Sequence, residues 1–188
     1  MALPGKRCGL VAQALLAIAV GGGYAPADAG AESIEYLVKA SLLLNFAKFA
    51  DWPAGSAQAV SSSVAICVLG TDSFGGALDE VVAGRSAGGR PIEVRRHRQL
   101  EGIESCHVLF VASSERERLA QILARIGDAP VLTVGESGDF DERGGVIRLL
   151  VEGNRARFCV NLAPMRVSHL QLSSKLLRVA RTVRVVAP

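Results

Sequence analysis

The chain has 188 residues, 49% apolar and 21% charged, with 21 basic and 18 acidic side chains and a net charge of +3. At roughly 150 residues per domain this is one domain, and the balance excludes a disordered chain. The charge is too small and too mixed for nucleic-acid binding, and there is no polybasic arm, acidic tail or internal repeat.

Residues 1–29 read as an export signal. Lys6 and Arg7 supply a positive start, Cys8 to Val20 is uncharged and apolar, and Gly21-Gly22-Gly23 breaks the run. Ala27-Asp28-Ala29 is a small-x-small cleavage site. The apolar run falls short of the roughly 20 residues that a membrane span needs. Cys8 precedes the apolar core, which is the wrong place for a lipid anchor. The expectation is an exported, periplasmic domain over residues 30–188.

Residues 32–50 are expected to form a helix, with Leu37, Ala40, Leu44 and Ala47 on its inner stripe and Leu43, Phe46 and Ala50 beside it. Trp52-Pro53 ends it, because a residue before proline is pushed out of the helical region. Residues 54–63 are small and polar, hence a loop. Residues 64–69 read as a buried strand, 73–82 as a short helix, and 91–96 as an edge strand. A second buried strand covers 108–112, a helix 115–126, and a further strand 130–134. Residues 135–144 read as an exposed acidic loop. Residues 146–151 and 155–162 form a hairpin, with Ile147, Leu149, Val151, Phe158, Val160 and Leu162 on one face. A last helix spans 173–181 and a closing strand 183–186. The fold class is α/β: one domain with a mixed sheet of about six strands flanked by helices.

Three cysteines follow the cleavage site: Cys67, Cys106 and Cys159. In an oxidising compartment a pair is expected to bridge. Cys67 lies in one buried strand and Cys106 just before another, so neighbouring strands would bring them together. Two buried free thiols are the alternative. Cys159 is left as a free thiol or an intermolecular partner.

The search for chemistry finds no site. A phosphate-cradling Gly-x-Gly-x-x-Gly, a P-loop, a Gly-x-Ser-x-Gly elbow and Cys-x-x-Cys are all absent. Gly135-Glu136-Ser137-Gly138 has the wrong spacing for an elbow. His97, His107 and His169 form no ligand pair at helical spacing. Arg95-Arg96-His97-Arg98 is a basic cluster, read as a solvated edge. Glu136, Asp139, Asp141 and Glu142 lack the pattern of a calcium loop. Trp52 is read as a plug at the helix end. No catalytic residue, metal ligand or cofactor is assigned, and such a domain is expected to bind rather than catalyse.

Three stretches together resemble the YfiR family of periplasmic regulators. The first runs from Val38-Lys39-Ala40 through Asn45-Phe46 and Phe49 to Trp52-Pro53. The second is Val134-Gly135-Glu136-Ser137, Phe140 and Gly144-Gly145-Val146-Ile147. The third is Arg157-Phe158-Cys159-Val160-Asn161-Leu162 followed by Leu170 to Ala180, including Ser173-Ser174-Lys175. Pro164 and Met165 depart from the small residues of the family pattern. The likeness spans about residues 34–182.

The resemblance implies a Cys67–Cys106 bridge like that of the type member, whose second bridge this chain cannot form. It also implies a dimer that binds the periplasmic part of an inner-membrane diguanylate cyclase, or of a sensor kinase. The bound cyclase is held off, which lowers cyclic-di-GMP and biofilm formation, and an outer-membrane lipoprotein can remove the repressor. Candidate partner contacts are Phe140, Asp141, Arg143, Arg166 and His169. The motif residues Lys39, Asn45, Phe46, Trp52, Pro53, Glu136, Ser137, Gly144, Gly145, Asn161, Ser173, Ser174 and Lys175 serve either fold or function. The alternative is a small-molecule binding module beside a receptor or sensor kinase. A pocket at Trp52 or at residues 95–98 would favour it, whereas apolar surface away from any pocket would favour the regulator.

Overall fold

The computed structural model describes residues 28–152 and 155–185, with side chains from residue 34 onward. Most of the expected export signal, residues 1–27, and the Gly153-Asn154 turn lie outside the described residues. Helix α1 (Asp28–Phe49) leads into a two-residue strand β1 (Ala50–Asp51), and α2 (Ala57–Val60) is a single turn. Next come β2 (Val64–Leu69), α3 (Gly76–Val82), β3 (Ser86–Ala87) and β4 (Arg90–His97). They are followed by β5 (Val108–Val111), α4 (Leu119–Ile126), β6 (Leu132–Gly135) and the hairpin β7 (Ile147–Glu152) and β8 (Arg155–Asn161). The chain closes with α5 (Ala163–Ser168), β9 (Gln171–Leu172), α6 (Ser174–Val179) and β10 (Thr182–Arg184). Short 3-10 turns at Ile103–Ser105 and Ser113–Arg118 precede β5 and α4. Among the described residues no helix is long and apolar enough to cross a membrane.

The main sheet is mixed, in the order β10-β8-β7-β6-β5-β2-β4-β3. Its eight strands exceed the expected six: β3 is an unexpected short edge strand, and β10 is the expected closing strand, whose Val186 lies outside the described residues. The centre, β4-β2-β5-β6-β7, is parallel. A parallel sheet needs cover on both faces, so its strands read as continuous apolar runs. Every residue of β2, β5 and β6 is buried. Alternation then divides the core. Val64, Ile66, Val68, Val108, Phe110, Leu132 and Val134 face α1 and α3, while Ala65, Cys67, Leu69, Leu109 and Val111 face α4.

Helix α1 turns Ala40, Leu43, Leu44, Phe46 and Ala47 inward. Leu37, expected on that inner stripe, is 44% exposed instead. The helix is apolar nearly all round, so its period does not select a face. Val151 likewise leaves the expected hairpin face and is exposed, because the end of β7 runs past the core. One helix, α2, was not expected, and the local helix that Pro164 and Met165 put in question is present as α5. In α2 the Ser56 hydroxyl accepts from the Ala59 amide at 3.1 Å and Gln58 is buried. In α5, Pro164 occupies the first turn, where a missing amide hydrogen costs nothing.

The largest departure is the segment joining β6 to β7. It was expected to be an exposed acidic loop with Phe140 and Asp141 free to touch a partner. Both are core residues. Phe140 is 1% exposed and its ring lies against Gly135 and Gly145, where any added Cβ would strike it. Asp141 is fully buried. Arg148 Nε on β7 donates to its Oδ1 at 2.5 Å, and Arg184 Nε on β10 donates to Oδ2 at 3.1 Å. Asn161 Nδ2 donates to the Asp141 carbonyl at 2.9 Å, and Asn161 Oδ1 accepts from the Ala163 amide. A buried carboxylate needs such partners, and two arginines and a hairpin strand supply them.

Burial pushes the Asp141 carboxyl up. The hydrogen bonds and charges of Arg184 and Arg148 outweigh it, so the group lies below its ordinary value of 3.8. A carboxyl depressed by folding stabilises above its unfolded value and loses that contribution as pH falls through the folded one. Acid unfolding below about pH 4 should therefore be steeper in the parent than in Asp141→Asn. Asp141→Ala should cost about 2 kcal/mol or more, measured by urea unfolding at neutral pH.

Candidate functional site

The outer face of α1 carries Ile34, Leu37, Val38, Ser41, Asn45, Lys48 and Phe49 at three- and four-residue spacing, all exposed. These positions share one side of the helix. Ile34 is 66% exposed, and Leu37 and Val38 are more than 40% exposed. Asn45 of the family motif sits in this stripe, while its neighbour Phe46 points inward and meets Phe158 edge-on at 5.1 Å. The far end of α1 is anchored. Strand β1 pairs antiparallel with β9, and the Ser173 amide donates to the Phe49 carbonyl at 2.9 Å.

Beside that ribbon lies an open cleft of about 390 Å³, lined by Leu162, Met165, Arg166, His169, Leu170, Gln171, Leu172 and Leu177. Arg166 and His169, two of the expected contact residues, are both exposed here. His169 holds a left-handed conformation with φ +55° where α5 ends. Nothing in the sequence pattern marks that turn, since glycine or asparagine is the usual occupant. Arg143 is not in this cleft. It is half-buried, and its Nη1 donates to the Arg116 carbonyl at 2.9 Å.

Lys39 and Glu136, from two separate motif stretches, meet at 2.6 Å. Glu35 lies 2.5 Å from the same ammonium, the Tyr36 hydroxyl donates to Glu136, and Lys39 Nζ sits 4.4 Å from the Tyr36 ring centre. Burial pulls the Lys39 ammonium down. The hydrogen bonds to Glu136 and Glu35 outweigh it, and the net shift is upward. A nucleophilic or basic lysine needs the opposite shift. The cluster is thus a clamp between α1 and the end of β6.

Of the remaining motif residues, Ser137, Gly144 and Ser173 have local roles in the fold. The Ser137 carbonyl accepts from the Phe140 amide at 3.0 Å, and Gly144 takes φ +100°. The Ser173 hydroxyl caps α6 by accepting from the Lys175 amide at 3.2 Å, while Ser174 and Lys175 are exposed.

Trp52 is half-buried rather than a sealed plug, and Pro53 is half-buried beside it. The Trp52 ring meets His107 edge-on at 4.9 Å, and its Nε1 is buried with no partner among the described residues. It lines a cleft of about 220 Å³ with Lys48, Asp51, Ala59 and Arg90 among others. The basic cluster at 95–98 lines none of these clefts. Arg96 is held by Asp72 at 2.6 Å and Asp79 at 2.5 Å, and Arg95 pairs with Glu93.

Behind Trp52, His107 is buried between two elements. Its Nδ1 accepts from the Ala65 amide at 3.1 Å and its Nε2–H donates to the Gln58 carbonyl at 2.8 Å. Burial holds it below its ordinary 6.5, against the raising effect of the Gln58 carbonyl. The adjacent Cys106 is bridged to Cys67, with Cα atoms 6.0 Å apart. Cys159 is a buried free thiol that accepts from Arg148 Nη2 at 3.7 Å.

Comparison with known proteins adds the family. A model described as YfiR/HmsC-like matches residues 36–181. No curated protein matches the chain. Among solved structures, an ABC domain from Streptococcus pneumoniae in complex with L-Trp is similar at 10% identity and TM-score 0.52, over 77% of this chain and 60% of that one. A conserved domain protein from Vibrio cholerae is similar at 10% identity and TM-score 0.47, over 63% and 54% of the two chains. This chain therefore spans less than two thirds of either, and the first likeness shows the fold alone.

Two outcomes follow for this region. Closing a loop between cysteines 39 positions apart should contribute about 4 kcal/mol in the chain-entropy model. Cys67→Ser/Cys106→Ser should therefore lower the urea midpoint well below the parent, and non-reducing peptide mapping should recover the bridged pair. His107 must charge on acid unfolding, so its contribution is complete above about pH 6.5 and is lost as pH falls. His107→Gln should flatten the stability profile between about pH 5 and 7, read by chemical unfolding across that range.

Proposed function

The chain belongs to the YfiR/HmsC-like family, and from that premise we propose that it is a periplasmic regulator that acts by binding a membrane signalling protein. The occupant proposed is the periplasmic part of an inner-membrane diguanylate cyclase or a related sensor kinase. Binding holds the cyclase inactive, lowers cyclic-di-GMP and disfavours biofilm formation. A homodimer is the proposed active form, with an outer-membrane lipoprotein as the partner that withdraws it. Family membership supports a regulatory role in general, and the partner and its repression are our reading.

The observation that carries this reading is the exposed apolar stripe on α1. Ile34, Leu37 and Val38 lie on a helix whose other face is locked into the core, and none of them lines either cleft described above. Apolar groups clustered on an exposed face of a rigid element mark an interaction surface. Repression requires only that the inactive cyclase be bound more tightly than the active one. A 100-fold preference corresponds to about 2.7 kcal/mol, within reach of a few buried side chains.

A second reading rests on Trp52. Its unpartnered Nε1 and the charged groups Lys48, Asp51 and Arg90 around the cleft would suit a small polar ligand. At about 220 Å³ the cleft is smaller than the roughly 300 Å³ at which small-molecule sites begin. The regulator reading is therefore preferred.

Pull-down from periplasmic and membrane extracts, read by mass spectrometry, separates the two. The parent is expected to capture a cyclase or kinase. Leu37→Asp/Val38→Lys should weaken capture by about tenfold or more with an unchanged unfolding midpoint. Capture unaffected by that variant would remove α1 from the interface. Recovery of only a transporter or receptor would favour the ligand-binding module.

A further inference from the structure

The Cys67–Cys106 bridge does not stand alone. Strand β4 runs parallel to β2, and Cys67 is in register with Arg95. His97, two residues further along β4, therefore points to the same face of the sheet as Cys67. Cys106 enters β5 on the other side of β2, whose Val108 is in register with Ile66. The outcome is that His97 Nε2 lies 3.9 Å from Cys106 Sγ. All three side chains place their ligand atoms within 4.8 Å of one another. Both sulfurs are buried, while His97 is half-buried at the rim.

We propose that Cys67, Cys106 and His97 form a binding site for a soft divalent cation of the zinc class when the bridge between the cysteines is reduced. Two thiolates and one imidazole are a donor set suited to such an ion, with water in the fourth position. In a tetrahedral zinc site, metal–sulfur and metal–nitrogen bonds of about 2.3 and 2.0 Å put neighbouring ligand atoms about 3.5–3.8 Å apart. The observed 3.9 Å between His97 and Cys106 is already near that spacing. The sulfurs must separate from their bond to the same distance, which rotation of the two side chains supplies without moving the strands.

The steps balance. A dithiol reductant gives two electrons and two protons to the bridge. The S–S bond breaks, two S–H bonds form, and the reductant closes to its own disulfide. The cation then displaces both thiol protons to water, so two negative sulfurs meet one doubly positive ion. Charge is neutralised inside a buried site, and the metal-bound state opposes reoxidation. The basic neighbours Arg95, Arg96 and Arg98 do not compete as ligands, and Arg95 and Arg96 are already engaged with Glu93, Asp72 and Asp79. Cys159 lies four strands away in the sheet, on the order of 19 Å at normal strand spacing.

The test uses the chain with Cys159→Ser, which removes the only other described thiol. Protein is reduced with dithiothreitol, stripped of metal under argon, and titrated with Co²⁺ and then Zn²⁺. One equivalent of cobalt should bind with intense near-ultraviolet thiolate charge-transfer absorption, and zinc should displace it. The oxidised protein should show neither. His97→Ala should weaken zinc binding at least about tenfold, the scale seen for loss of even an outer-shell partner. Zinc should raise the thermal midpoint of the reduced protein, and slow its oxidation by diamide, in the parent far more than in His97→Ala. His97→Gln provides a second variant if alanine perturbs β4. The proposal is overturned if the reduced parent shows no thiolate–cobalt absorption. It is equally overturned if both His97 variants bind zinc as tightly as the parent, or if zinc leaves the reduced parent's midpoint unchanged.

Discussion

A single buried carboxylate holds the C-terminal half of this sheet together. Asp141 binds Arg148 of β7 through one oxygen and Arg184 of β10 through the other, while its carbonyl takes the amide of Asn161 on β8. The two strands of the following hairpin and the last strand of the described chain thus converge on one residue of a connecting segment. The arrangement forces the segment inward. Phe140 beside it must then be accommodated, and only glycine at 135 and 145 leaves room for its ring. At the start of the same segment Glu136 reaches back to Lys39 on α1. The connection is therefore the joint between helix, sheet and closing strand, and its charges are internal partners rather than surface decoration.

That joint is also where the sequence misleads. A run with Glu136, Asp139, Asp141 and Glu142 between glycines has the composition of a solvent-exposed turn, because composition weighs charge without seeing the opposite charge that will meet it. Arg148 and Arg184 are 7 and 43 residues away from Asp141. Asp139 is likewise spoken for by Arg116 at 3.2 Å. The glycines were legible as turn residues, but their second role, clearance for Phe140, depends on the tertiary position of a ring. The central strands were legible for the opposite reason. Val64–Leu69 and Val108–Val111 are uninterrupted apolar runs whose meaning does not change with context. The hairpin alternates with period two and pairs from Ile147↔Val160 to Glu152↔Arg155.

The α1 surface lies between these extremes. The helix itself follows from its long apolar run and its stop at Trp52-Pro53. Which side faces the core does not, because Leu37 and Val38 are as apolar as Leu43 and Leu44. The inner face carries the aromatic contacts, to the sheet and to the turn before α3. Phe46 meets Phe158, and Tyr36 meets Phe74, which in turn meets Phe110. With that face fixed, the surplus apolar residues have nowhere to go but outward. The cysteine–histidine cluster shows the same limit. His97 is thirty residues from Cys67 in the chain, and only the parallel register of β2 and β4 makes them neighbours.

The division of labour in the molecule follows from these constraints. Lys39 is held charged between two carboxylates, His107 is held neutral between a backbone amide and a carbonyl, and Asp141 is saturated by arginines. In each of these groups the surrounding fold favours one protonation state over the other. Exposed apolar groups at Ile34, Leu37 and Val38 lie on a helix that is clamped to the joint through Lys39. A helix held so firmly on one side presents its other side as a preorganised surface, with little ordering cost left for a partner to offset. Rigidity inside and unspent apolar area outside are the two properties on which the proposed docking of a membrane partner rests.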